Sequence, residues 1–192
     1  QTPFLAEEGE KGDEKLLLLE LRLLADVGIV GMPNAGKSTL LSRISNASPK
    51  IAAYPFTTKE PILGVVQIGW KSFVAIEIPG LLEGAHAGVG LGREFLRHAR
   101  RTRLLIHVVD GSAEDIEERV VKINEELRLY DGPLGSRPQL LAINKCDYSG
   151  VRGKEEELLE ALPQYVGGVH LISAVTGEGI ESLISHAQGI LE

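Results

Sequence analysis

Cysteine is almost missing from this chain: Cys146 stands alone, so no disulfide can close within it. That fits a reducing compartment, although many secreted proteins also lack bridges. Long apolar runs are missing too. The longest, Leu16 to Leu24, is interrupted by Glu20 and Arg22 and falls well short of the roughly 18 residues that a membrane helix needs. Positive charge is in deficit, 20 Lys and Arg against 27 Asp and Glu, for a net charge of -7. Loose, sequence-independent binding of nucleic acid over the whole surface is thereby disfavoured, because it is driven by phosphate neutralisation, and any such partner must be met by a local patch. The chain opens at Gln1 without a methionine or a charged-then-apolar leader, so no targeting segment is expected, and it reads as a piece of something longer.

What is present suffices for one sizeable core. With 192 residues, 43% of them hydrophobic and 24% charged, a single soluble globular domain is the simplest expectation. After a charged, glycine-containing turn, EEGEKGDEK, the residues Leu17, Leu19, Leu21 and Leu23 alternate as on a strand face. Residues 1–24 are thus set apart as a leading piece that is poorly covered on its own, and 25–192 as the main domain. In that domain ADVGIVG is a short apolar strand, and Lys37 to Ile44 follows with helical spacing. Pro61 to Ile68 and Phe73 to Ile78, separated by Gly69-Trp70-Lys71-Ser72, read as an antiparallel hairpin. Further helices are expected at Leu91–Thr102, Ala113–Tyr130, Lys154–Leu162 and Gly179–Leu191. Strands are expected at Leu104–Val109, Gln139–Ile143 and Val169–Ile172, with DGPLGSRP as a loop. Such alternation predicts an α/β fold: a mostly parallel sheet with one antiparallel edge strand and helices on both faces. Ligands of such sheets sit beyond the carboxyl ends of the strands.

GMPNAGKS, Gly31 to Ser38, matches G-x-x-x-x-G-K-[ST] between an apolar strand and a helix, the context that separates a phosphate loop from chance. Glycines let the backbone wrap phosphates with its N–H groups inward. The phosphate-contacting set is then Gly31, Pro33, Asn34, Ala35, Gly36, Lys37, Ser38 and Thr39. Lys37 meets β- and γ-phosphate oxygens, and Ser38 places its hydroxyl on Mg²⁺. Base choice is read from LLAINKCD, which delivers Asn144, Lys145 and Asp147 at a strand end. Asp147 accepting from guanine N1–H and the 2-amino group would favour guanine, since adenine offers an acceptor at N1. Ser173 and Ala174 would offer a backbone N–H to the guanine carbonyl, and Cys146 reads as a packed small residue. A P-loop kinase or ATPase would need an adenine pocket, which Asp147 argues against.

With GMPNAGKSTLL, YPFTT (Tyr54 to Thr58) and IPGLLEGAHAGVGLGREFLRH (Ile78 to His98), the chain resembles the GTPase domain of the Obg family, translation-associated P-loop GTPases. The leading LLLLELRLLADVG resembles the last strand of that family's glycine-rich N-terminal domain, which implies that residues 1–24 are a remnant of that preceding domain or a linker strand. The resemblance implies a P-loop GTPase fold, with GTP as substrate, GDP as product, and Mg²⁺ as cofactor. Switch I would place Thr58 on Mg²⁺ and toward the γ-phosphate, with Thr57 as the competing candidate. The D-x-x-G motif would be Glu77-Ile78-Pro79-Gly80, with Gly80 N–H on the γ-phosphate and glutamate in place of the family's aspartate, reaching the metal through water. One added methylene puts the metal shell in question, and a plain strand-end carboxylate is the alternative.

Leu81 stands where other GTPases have a water-orienting glutamine and cannot aim water. Relatives use the asparagine at the place of Asn34 to help hold K⁺, whose charge could stand in for an arginine finger; a turn residue bonding its own loop is the plainer reading. The catalytic set is then Asn34, Lys37, Thr58 and Gly80, and the metal set Ser38, Thr58 and Glu77. Glu83 and His86 read as polar switch residues. Arg93, Arg97, Arg100 and Arg101 would align on one helix side, either to meet RNA or as a solvated face pairing with glutamates. The family further implies action in large ribosomal subunit assembly, binding of guanosine tetraphosphate, a monomer, and a bacterial-type cytoplasm or an organelle. A nucleotide-controlled ribosome-binding module, with incidental hydrolysis, is the alternative.

Overall fold

The structure, a computed structural model, describes residues 9, 12–16, 25–45, 50–51, 62–78, 102–130, 132–153, 160 and 168–192. In chain order these form β1 (Val27–Val30), α1 (Lys37–Ile44), β2 (Lys50–Ile51), β3 (Ile62–Ile68), β4 (Lys71–Glu77), β5 (Leu104–Asp110), α2 (Ile116–Tyr130), the single turn α3 (Gly132–Gly135), β6 (Gln139–Asn144), the single turn α4 (Ser149–Arg152), β7 (Val169–Leu171) and α5 (Ile180–Leu191). The leading leucine-rich segment and the helices expected at Leu91–Thr102 and Lys154–Leu162 fall largely outside the described residues.

All seven strands join one sheet in the order β2-β3-β4-β1-β5-β6-β7. Pairing is parallel from β4 through β1, β5 and β6 to β7, while β3 runs antiparallel to both neighbours. The expected antiparallel strand is therefore there, and the two-residue β2 lies outside it. The hairpin ladder continues to Ile68 opposite Lys71, so its turn is only Gly69-Trp70.

Parallel strands covered on both faces must be apolar on both, and β1 is buried at every position. The period of two divides each strand between two cores. On one face Val27, Ile29, Leu104, Ile106 and Val108 meet Leu40, Leu41 and Ile44 of α1 and Ile180, Leu183, Ala187 and Leu191 of α5. On the other, Val30, Ile76, Ile78 and Leu105 meet Ile123 and Leu127 of α2 and Leu134 of α3. A neighbouring cluster there joins Val109, Leu141 and Ile143 to Ile116, Val120, Cys146 and Val151. Each fully buried Leu or Ile contributes about 1.5–3 kcal/mol over its exposed state, so these clusters fix where the strand ends and their loops stand. No helix among the described residues is long and apolar enough to cross a membrane.

Candidate functional site

The carboxyl ends of β1, β4, β5 and β6 are adjacent in the sheet, and the loops that leave them carry the residues singled out above. β1 ends at Val30, and the chain turns through 31–36 into α1, whose first residue is Lys37. Two glycines make this turn possible. Gly31 has φ +150°, and a Cβ there would lie 2.2 Å from Val108 O; Gly36 has φ +98°, and a Cβ there would lie 2.2 Å from Asn144 Nδ2. Asn34, at φ 62°, occupies the left-handed region that asparagine tolerates better than most residues.

Lys37 is buried, and its Nζ donates to Gly31 O at 3.1 Å and to Met32 O at 2.9 Å. Its ammonium is thus held over its own loop, at the amino end of α1, where a phosphate would meet both a positive side chain and the helix dipole. Beneath it lies His107 of β5, also buried: burial first, and then the Lys37 charge, push its imidazole down to about 3. It stays neutral near pH 7 and adds no second cation to the site.

Across from the loop, Ser38 Oγ donates to Glu77 Oε1 at 2.9 Å, from α1 to the last residue of β4. Glu77 Oε2 is buried with no hydrogen-bond partner among the described residues. The longer glutamate therefore reaches directly the serine that was expected to hold the metal. A hydroxyl and a carboxylate with a spare buried oxygen are hard oxygen donors, the set that Mg²⁺ prefers. These residues fit the ion.

Asn144, at the end of β6, is buried and uses both ends of its amide. Its Nδ2 donates to Ala35 O at 2.8 Å, and its Oδ1 accepts from Ala174 N at 2.9 Å. It joins the phosphate loop to the loop after β7. Lys145 has φ 68°, an uncommon conformation for a side chain of its length, and Nζ reaches Asp110 Oδ2 at 2.5 Å. Asp110 Oδ1 in turn accepts from Ser112 N at 2.9 Å and Ser112 Oγ at 2.6 Å. Burial would raise the Asp110 pKa, but the hydrogen bonds from Lys145 and Ser112 outweigh it and hold the carboxyl below its usual value. The Asp147 carboxylate is exposed, with no partner among the described residues.

The amides expected to meet a guanine carbonyl are already engaged: Ser173 N donates to Glu178 O at 3.0 Å, and Ala174 N to Asn144. A base oxygen at either would have to share or displace that acceptor. Cys146 is packed as expected, and burial pushes its thiol up.

Arg152 was not anticipated. Its Nε donates to Cys146 O at 3.1 Å and its Nη2 to Glu178 Oε2 at 2.5 Å, so one side chain ties the loop after β6 to the loop after β7. Arg43 Nη2 likewise donates to Thr176 O at 2.6 Å. Asp110 was also missed, though an aspartate closing an apolar strand at the ligand-binding end of a sheet was a usable signal. The hollow lined by Gly111, Ser112, Tyr148, Ser149, Gly150 and Val151 holds about 230 Å³, small against the usual ligand pocket of roughly 300 Å³ or more.

The structure thus brings together Gly31 to Thr39, Glu77, Asn144, Lys145, Ser173 and Ala174. Thr57, Thr58, Gly80, Leu81, Glu83 and His86, together with the arginines from Arg93 to Arg101, lie outside the described residues.

Comparison with known proteins bears on the family and the fold. Residues 26–145 match the family model described as 50S ribosome-binding GTPase. The chain is 54% identical over 187 residues to the GTPase Obg of Roseiflexus castenholzii, covering 96% of this chain and 43% of that protein. It is 55% identical over 199 residues to the GTPase Obg of Desulforudis audaxviator, covering 100% of this chain and 46% of that one. It therefore spans less than half the length of these curated relatives. Among solved structures, the cytosolic domain of the T. maritima FeoB iron transporter in its GMPPNP form superposes with a TM-score of 0.68 at 23% identity, covering 88% of this chain and 64% of that chain. At that identity the likeness concerns the fold, which is that of the P-loop GTPases. With the phosphate loop, the N-K-x-D strand end and relatives of this similarity in agreement, the chain belongs to the Obg family of GTPases.

Proposed function

We propose that this chain binds GTP and hydrolyses it slowly to GDP, acting as a molecular switch. The observation that carries this reading is the double hydrogen bond of Asn144, which places the phosphate loop and the loop after β7 on one frame. With that frame set, Lys37 and the inward amides of 31–38 bind the β- and γ-phosphates, while Asp147 accepts from the guanine edge. Lys145, which Asp110 braces, would lie along the base.

When bound, Mg²⁺ neutralises charge on the β- and γ-phosphate oxygens, and Ser38, Glu77 and Thr58 would hold it. Asn34 is assigned to a K⁺ ion beside the same phosphates, and Thr58 and Gly80 to the γ-phosphate. Attack is by water in line with the leaving oxygen. With Leu81 unable to orient that water, turnover is expected below about 10⁻² s⁻¹. The reading includes a role in large ribosomal subunit assembly, in a bacterial-type cytoplasm; the description of the matching family as 50S ribosome-binding supports contact with that subunit. The GDP-like part of guanosine tetraphosphate would be accepted by the same loop and base pocket.

The test is affinity for GDP, GTP and ATP, each with and without Mg²⁺, together with phosphate release in sodium and in potassium buffers. Guanosine nucleotides should bind far more tightly than ATP, and Asp147→Ala should abolish that preference without unfolding the chain. Equal affinity for ATP and GTP in the unaltered protein would overturn the reading. Equal release rates in the two salts would remove K⁺ from the role given to Asn34.

A further inference from the structure

Arg152 closes α4 and touches both loops that carry the expected base contacts: its Nε donates to Cys146 O at 3.1 Å and its Nη2 to Glu178 Oε2 at 2.5 Å. Each acceptor adjoins one of those contacts. The Cys146 carbonyl lies in the same rigid peptide plane as the nitrogen and Cα of Asp147, so holding that oxygen fixes the plane from which the Asp147 side chain departs. Cys146 N donates to Ile172 O at 3.0 Å, and residue 146 is thereby held on both sides. Glu178, at the other end of the guanidinium, accepts from Ser173 N through its own main-chain oxygen at 3.0 Å. One side chain thus spans from the guanine acceptor to the residue that engages an amide of the Ser173–Ala174 pair.

We propose that Arg152 is a positioning residue for base choice: by clasping Cys146 O and Glu178 it sets the Asp147 carboxylate at the spacing from the Ser173–Ala174 amides that a guanine edge requires. The proposal rests on the guanine reading above, in which Asp147 accepts from N1–H and the 2-amino group. The Asp147 side chain is exposed, and no hydrogen bond within the described residues orients it, so its direction follows from its backbone. Arginine suits the task because its planar fork offers two donors in fixed relation, which the single nitrogen of lysine does not.

A purely stabilising role is the competing account, and the surroundings weigh against it. Both side chains of the Arg152–Glu178 pair are about half exposed, where solvent screens an ion pair and leaves it little to contribute to folding. The loop after β7 also has supports of its own: Gly177 N donates to Ser173 O at 2.8 Å, and Arg43 Nη2 to Thr176 O at 2.6 Å. Without Arg152 the chain should therefore stay folded while the peptide before Asp147 gains freedom to tilt.

The experiment compares affinity for GDP and for inosine diphosphate, which lacks the 2-amino group, by displacement of a fluorescent GDP analogue at saturating Mg²⁺. The two ligands share their phosphates, so the ratio of their affinities cancels every effect on the phosphate loop, the metal or overall stability. The native chain should prefer GDP by about tenfold or more, and Arg152→Ala should lower that ratio by about threefold or more, because GDP loses a bond that inosine diphosphate never makes. Glu178→Ala should lower it less, since the bond to Cys146 O stays, and the double variant should be no worse than Arg152→Ala alone. Arg152→Lys should recover only part of the ratio. A native preference that Arg152→Ala leaves intact would overturn the proposal and keep the guanine reading; so would full recovery by lysine, charge alone then sufficing, or additive losses in the double variant. No native preference for GDP over inosine diphosphate would overturn the guanine reading itself, and the proposal with it.

Discussion

Ser38 Oγ donates to Glu77 Oε1 across 2.9 Å, joining the first turn of α1 to the end of β4 although the residues are 39 positions apart. This bond decides how the glutamate should be tested. Glu77→Gln keeps the length and the capacity to accept from Ser38 but removes the charge, whereas Glu77→Asp keeps the charge and shortens the reach. If the carboxylate serves Mg²⁺ through water, the glutamine variant should bind GDP normally without Mg²⁺ and lose about tenfold of the gain that Mg²⁺ confers. Titration of a fluorescent GDP analogue with and without MgCl₂ measures both terms. An unchanged Mg²⁺ gain would confine Glu77 to bracing Ser38.

Asn144→Ala should be among the most damaging single changes that touch no hydrophobic side chain. It orphans Ala35 O and Ala174 N, both bonded to the Asn144 side chain in the interior. Each buried group left unsatisfied costs about 1–3 kcal/mol, so a loss of about 2–4 kcal/mol is expected in urea unfolding of the nucleotide-free protein. Gly36→Ala tests the same contact from the other side, since its Cβ would lie 2.2 Å from Asn144 Nδ2. In an Asn144→Ala background that clash disappears, so the glycine change should cost less there than in the native chain. An Asn144→Ala shift under about 0.5 kcal/mol would mean that the two loops are held by other contacts.

What was legible beforehand was contiguous along the chain. The apolar runs of β1, β5 and β6 and the loop from Gly31 to Ser38 can be read because each signal lies within a few residues. The one-turn α3 was read as loop because Gly132, Pro133 and Gly135 punctuate it; what holds it is burial of Leu134 against α2, a tertiary effect. α2 begins at Ile116, not Ala113, because Asp110 draws Ser112 into a turn and Ala113 N bonds back to Asp110 O. The cross-loop bonds could not be read at all. Asn144 meets Ala35 109 positions away, Lys145 meets Asp110 at 35, and Arg152 meets Glu178 at 26, with no local pattern to announce any of them.

Asp110→Asn isolates the support of Lys145. The pair is largely shielded and charge-assisted, so its loss should destabilise the protein by about 1–3 kcal/mol at pH 7. The pH dependence has a definite sign. The folded-state pKa of Asp110 is lowered, so the stabilisation is fully present above the unfolded value of 3.8 and is lost as pH falls through the lowered folded value. The gap between native and variant stability should therefore be constant from pH 7 to about 5 and close below about 4. A gap that stayed open in acid would show that the carboxylate charge was not its source.

His107 gives a pH effect in a different window. Its imidazole is buried in β5 and titrates at about 3 when folded, against 6.5 when exposed. Between those values the unfolded chain takes up a proton that the folded chain refuses, so this group lowers stability as pH falls below 6.5, at about 1.4 kcal/mol per pH unit. Replacement by a neutral residue of similar size, His107→Leu, removes this term. Native and variant proteins compared by urea unfolding at pH 7 and pH 5.5 should differ in their pH dependence by about 1 kcal/mol, the native chain losing more. Equal losses in both would mean that His107 accepts a proton in the folded protein, and Lys37 would then stand above a second cation, opposing its own charge at the phosphate loop.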